Sequence, residues 1–216
     1  MELTRLELRF VTLIHLFGVT FFATTCDAQL TCWAPNSGGN GHCYQLVLES
    51  VQWTDARAAA LWSSLIDELG YLATITSQAE NDFIVSSFES NTTSYAWLGG
   101  TDQETEGTWR WADGPEAGIQ FSQGGTPTTP SNFANWSSVE PNNSDGQEHY
   151  AVLQLGSSSF VPHGGWGVDP RSGAGQVGAY IVEYNVPEPT SSIYTIAILL
   201  CLVRTSRWRR SGPTRS

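Results

Sequence analysis

The chain has 216 residues, 40% of them apolar and 14% charged, which is too apolar and too lightly charged for a disordered polymer. Nine Trp and 21 Gly point to short strands and structured loops rather than a helical bundle. There is no Lys, and residues 29–190 carry three Arg against 18 acids, a net charge of −15. Such a surface excludes nucleic acid, which needs cations to displace phosphate counterions, and favours cationic partners, Ca2+ among them.

In chain order, Arg5 and Arg9 precede an apolar run over residues 10–22, and Cys26-Asp-Ala28 offers small residues for cleavage. This reads as a signal peptide over residues 1–28 and an exported chain. The run is shorter than the ~20 residues a spanning helix needs, which sets the anchor reading aside. Cys32 and Cys43 follow, eleven positions apart in a Pro-, Asn- and Gly-rich stretch containing Asn40-Gly41. That dipeptide signals a hairpin, so the spacing predicts a Cys32–Cys43 disulfide in an exported chain. His42 alone is too little for a tetrahedral zinc site.

A strand is expected over residues 44–51, then a helix over 56–69 with Ala58, Leu61, Trp62, Leu65, Ile66 and Leu69 on one apolar face, ended by Gly70. A strand over 71–75 leads to a second helix reaching about Phe88, with Ser77 and Glu80 spaced as a capping box. Strands are expected over 95–98, 150–155 and 179–183, with Trp109 and Trp111 alternating between them. The long Gly-, Pro- and Ser-rich stretch over 99–146 reads as a functional loop region. The order of elements is that of an α+β domain. Trp97, Trp111 and Trp136 are expected in the core rather than as sugar-stacking platforms.

Beyond residue 185 the motif Val186-Pro-Glu-Pro189, an apolar run over 193–203 and Arg204, Arg207, Arg209 and Arg210 occur in order. This arrangement resembles the PEP-CTERM sorting tail of bacteria, which implies processing at the cell envelope and membrane contact only through the tail, over residues 186–216. A retained short anchor and, in a eukaryotic source, a GPI signal read the same residues differently. The sequons at Asn91, Asn135 and Asn142 carry meaning only in such a source.

Within residues 29–185, Trp53-Thr-Asp-Ala56, Leu72-Ala-Thr-Ile75, Ser77 with Glu80-Asn-Asp-Phe83, Trp97-Leu-Gly-Gly100, Trp111-Ala-Asp-Gly114, Asn135-Trp136, Glu140-Pro-Asn142 and Tyr180-Ile-Val-Glu183 occur in sequence. Together they resemble the C-type lectin-like domain of the calcium-dependent, Glu-Pro-Asn type. The resemblance implies two helices packed on small antiparallel sheets with a long loop region. Tyr150 and Val182 stand where the family has cysteines, so packing must replace two crosslinks.

The resemblance also implies a site. Glu140, Asn142, Glu148 and Asp169 are the expected Ca2+ ligands, all hard oxygen donors suited to that ion. Glu140, Asn142 and Glu148 are also the expected carbohydrate-binding residues, with mannose-type glycans as partners. A cis bond before Pro141 would turn Glu140 and Asn142 towards one ion. The family's Trp-Asn-Asp is here Trp166-Gly-Val-Asp169, which removes one sugar-bonding side chain. Asp102, Glu106 and Asn143 form the expected second metal set. The functional expectation is a non-enzymatic, calcium-dependent lectin domain, exported to the envelope or beyond. The alternative is a protein-interaction domain on the same fold with a decayed sugar site.

Overall fold

The computed structural model describes residues 29–89, 93–124, 129–130, 132–143, 146–156, 164–169 and 177–186. The expected signal peptide and, apart from the buried Val186, the expected sorting tail lie outside these residues, as does the sequon at Asn91. The elements are β1 (Gln29–Cys32), a 3-10 turn (Pro35–Ser37), β2 (Cys43–Val47), α1 (Trp53–Trp62), β3 (Ser64–Leu65), β4 (Glu68–Leu72), α2 (Gln78–Phe88), β5 (Tyr95–Thr101), β6 (Thr108–Trp111), β7 (Gln120–Gln123), β8 (Thr129–Pro130), β9 (Tyr150–Gln154), β10 (Trp166–Asp169) and β11 (Ala179–Tyr184).

The sheet runs β1-β2-β11-β5-β6-β7-β8, with β4 also on β11, and β9 on β5 carrying β10. Its ladders are antiparallel except where β11 lies parallel to β5, Ala179 opposite Ala96. The sheet is therefore mixed rather than purely antiparallel as expected. Two helices and this sheet make the α+β class as read. Cys32 and Cys43 face each other across β1 and β2 and are joined as a disulfide.

The second helix follows its sequence signals. Ser77 is extended, and its hydroxyl accepts from the Glu80 backbone N–H at the first turn. Ile84, Val85 and Phe88 are buried against the sheet.

The first helix departs from expectation. It ends at Trp62, and residues 64–72 form the β3–β4 hairpin instead of about two further helical turns. The buried face of α1 is Trp53, Ala56 and Ala60, while Leu61 and Trp62, assigned to the core stripe from spacing, are exposed. Tertiary packing decides this. Gly70 lies within β4, where a Cβ would approach the Ser63 hydroxyl to 2.3 Å and Val182 to 2.6 Å. The close approach of β4 to α1 and β11 thus needs glycine in a strand, not at a helix end.

The core is aromatic. Trp166 on β10 packs edge-on against Trp111, Phe121, Phe133 and Trp136. Its indole N–H donates to the Asn81 carbonyl oxygen on α2 at 2.8 Å. Trp97 and Trp111 are buried as expected, whereas Trp136 is half-buried and donates to Ser122. Where the resemblance expects cysteines, Tyr150 stacks on Trp53 with ring centroids 4.6 Å apart, and Val182 is buried beside β4.

Candidate functional site

The core elements above set the position of the loop that carries the expected ligands. The Trp166 N–H donates to Asn135 O, and Ser137 N–H donates to Trp166 O, so residues 135–137 are tied to β10. Glu140 follows immediately, and the Glu140–Pro141 bond is cis. The Asn142 backbone N–H donates to the Glu140 carboxylate at 3.1 Å. The Asn142 side chain is exposed. Asn143 takes a positive φ of 47°, a conformation that asparagine tolerates better than most residues. Its side-chain oxygen accepts from the Glu148 N–H.

Glu148 is buried, immediately before β9. Burial pushes the Glu140 carboxyl up to about 7, the Asn142 N–H works against this, and the Glu148 charge adds to it. The half-buried Glu140 and the buried Glu148 are therefore neighbours. A divalent cation between them would reverse that penalty. On β10, the Asp169 backbone lies opposite Tyr150, two residues from Glu148. Glu140, Glu148 and the strand position of Asp169 thus come to one region. Gly167 and Val168 pair with Val152 and Ala151, and Val168 packs on the core.

The second expected set is assembled differently. Asp102 is buried, and its carboxylate accepts from Gly107 N–H at 2.8 Å. Its other oxygen lies 3.0 Å from His149 Nδ1, and Glu106 lies 3.7 Å from the same nitrogen. Ligand atoms of Asp102, Glu106 and His149 all fall within 4.8 Å of one another. Asn143, expected in this set, has its side-chain oxygen accepting from the Glu148 N–H. A nitrogen donor in the third place suits Ca2+ less than the all-oxygen set around Glu140.

A third group was missed from sequence. His42, Glu80 and Glu183 also bring ligand atoms within 4.8 Å. Glu183 and Glu80 are buried. His42 Nδ1 bonds the Glu183 carboxylate, whose other oxygen accepts from the Thr74 N–H and hydroxyl. Glu80 accepts from Tyr44, Asn40 and Thr76. Only a glutamate inside an apolar strand, Tyr-Ile-Val-Glu183-Tyr, hinted at this cluster in sequence.

The sequence profile described as "Lectin C-type domain" matches residues 66–161. The chain is 37% identical over 146 residues to Halomucin of Haloquadratum walsbyi, covering 68% of this chain but 1% of that protein's length. It is 32% identical over 136 residues to Lectin BRA-3 of Megabalanus rosa, covering 63% of this chain and 69% of that protein. Among solved structures, the C-type lectin CEL-I of Cucumaria echinata superposes with a TM-score of 0.50 at 19% identity, covering 67% of this chain and 90% of that chain. That likeness bears on the fold, and the barnacle lectin bears on the family. The chain belongs to the C-type lectin family.

Proposed function

We propose that this protein is an exported, calcium-dependent carbohydrate-binding domain. The pairing of Glu140 with the buried Glu148 supports this reading most directly. Two neighbouring carboxylates, one buried and one half-buried, with the Glu140 carboxyl raised to about 7, would be stabilised by a hard cation. The donor set fits Ca2+, with Glu140, Glu148, Asn142 and Asp169 as its side-chain ligands. Bound there, the ion would supply coordination positions that two neighbouring sugar hydroxyls can take. Glu140, Asn142 and Glu148 would accept from or donate to the same hydroxyls, which favours mannose-type sugars with adjacent equatorial groups. The Asp102, Glu106 and His149 group is an auxiliary cation site in this reading.

The leader and the PEP-CTERM-like tail support export to the envelope, with the membrane engaged through the tail. A second reading, a protein-interaction domain, draws on Val168. This residue packs on the core where the resemblance expects an asparagine side chain for sugar. A glycan array probed with the protein in millimolar Ca2+ and again in EDTA separates the two. Mannose-type binding that vanishes in EDTA is the expected result. Calcium binding without any glycan signal would replace the lectin reading with the interaction reading.

A further inference from the structure

Four of the exposed large apolar side chains lie within nine positions of one another, where the sequence suggested a core stripe. Trp62 is 89% exposed, Leu69 68%, Ile66 43% and Leu61 41%. They occupy the last turn of α1 and the adjoining β3–β4 hairpin. A Trp so exposed beside three aliphatic residues is the kind of patch that marks an interaction site. The hairpin turn adds a second observation. Ile66 and Asp67 take φ of 52° and 67°, a left-handed pair that glycine or asparagine adopts without strain. A β-branched residue there costs on the order of 1–2 kcal/mol, yet it keeps an apolar side chain at the tip of the patch.

The path of the chain suggests the occupant. Tyr184, the last residue of β11, lies opposite Gly70, and the described chain ends two residues later at Val186, buried with its amide donating to Tyr184 O, so it ends a few residues from Leu69. The other terminus is elsewhere, since Gln29 pairs at Leu46 on the far side of β2 and bonds the end of α2. Only residues 187–192 separate Val186 from the apolar run over 193–203. At about 3.3–3.6 Å per residue they reach roughly 20 Å, enough to return the run to the patch. Charge agrees. The hairpin carries Asp67 and Glu68, and Arg204, Arg207, Arg209 and Arg210 follow the run. A second copy would set acid against acid, and an anionic bilayer would be repelled by a domain of net charge −15.

We propose that residues 193–203 of this chain dock on Leu61, Trp62, Ile66 and Leu69, with the arginines that follow lying over Asp67 and Glu68. The exported precursor thereby shields its own apolar tail from water until a membrane takes it.

The tail supplies its own probe, Cys201. In the full chain with Cys26→Ser, Cys201 is the single free thiol, because Cys32 and Cys43 are bonded. Leu69→Cys is added in one protein and Ile119→Cys, an exposed position outside the patch, in another. Mild oxidation at micromolar protein, read by peptide mapping, should give the 69–201 crosslink at least tenfold faster than 119–201. Equal rates overturn the proposal. A 69–69 linked dimer overturns it in favour of a second copy. An independent readout is oxidation of Trp62 by N-bromosuccinimide in the full chain, which Leu199→Asp should raise severalfold. Unchanged Trp62 reactivity overturns the proposal. So does a Trp62 reactivity in the unaltered chain that falls only when neutral or anionic vesicles are added, which would assign the patch to a lipid surface.

Discussion

Glu183 is fully buried and Glu140 half-buried, and burial raises the carboxyl of each. Their neighbours differ. Around Glu183 the chain supplies a histidine from the β1–β2 loop and the amide and hydroxyl of Thr74 after β4. Glu140 has the Asn142 N–H against it and a second acid, Glu148, beside it. A second acid also stands beside Glu183, but that residue, Glu80, is held by donors from Tyr44, Asn40 and Thr76. Around Glu140 the proposed Ca2+ would offset the paired charge. A cluster of ligand-capable atoms is thus a poor guide to a metal site until the internal donors have been counted.

The contrast breaks first at Glu183. Glu183→Ala leaves His42 and Thr74 without their buried acceptor and should cost about 3–5 kcal/mol. Urea unfolding should show the same loss in Ca2+ and in EDTA. A loss that appears only in Ca2+ would make the buried cluster the ion site and reverse the comparison.

The loop acids should show the opposite dependence. Saturating Ca2+ stabilises by about 2.7 kcal/mol at a hundredfold excess over Kd. Thermal melts of the wild type should therefore rise in millimolar Ca2+ relative to EDTA. Glu140→Gln should remove most of that rise, because it deletes a charge and keeps the shape. Glu104→Gln, an acid outside the site, should leave it intact, and identical behaviour of the two variants would defeat the assignment.

Protonation sharpens the contrast further. Burial would lower the His42 pKa, but the hydrogen bond and charge of Glu183 outweigh it, and the value is raised above 6.5. The folded state therefore holds this proton more tightly than the unfolded chain. The stabilisation is complete below pH 6.5 and is lost as pH rises through the folded value. The raised Glu183 carboxyl acts in the same direction. Wild-type stability measured in EDTA from pH 6 to 9 should decline more steeply than that of His42→Gln.

The smallest effect is expected at His149. It is half-buried, and its bond to Asp102 is part-exposed, so His149→Ala should cost about 1 kcal/mol or less. A larger loss would place this group with the buried cluster rather than with the loop.

Sequence conveyed local structure wherever one signal acted alone. The Ser77 cap, the β9 and β11 strands and the Cys32–Cys43 hairpin each follow from residues that are neighbours in the chain. The helix over 56–69 failed because apolar spacing fits both a helical face and a hairpin, and the turn at Ile66-Asp67 carries no glycine to announce it. The loop acids were legible through the Glu-Pro-Asn motif. The buried cluster was not, because His42, Glu80 and Glu183 meet only after β2, α2 and β11 are assembled.

The Cys32–Cys43 crosslink, alone among the described residues, has a practical consequence for making the protein. Cys32–Cys43 closes a loop of eleven positions between two adjacent strands, worth about 3 kcal/mol through the unfolded chain. The places expected to hold the other crosslinks are filled by Tyr150 stacked on Trp53 and by Val182 in the sheet. Reducing agent therefore unclips one edge hairpin and leaves the Tyr150–Trp53 and Val182 packing in place. The β2–β11 and β5–β9 ladders should assemble in the cytosol of an expression host, with the crosslink closed afterwards by air.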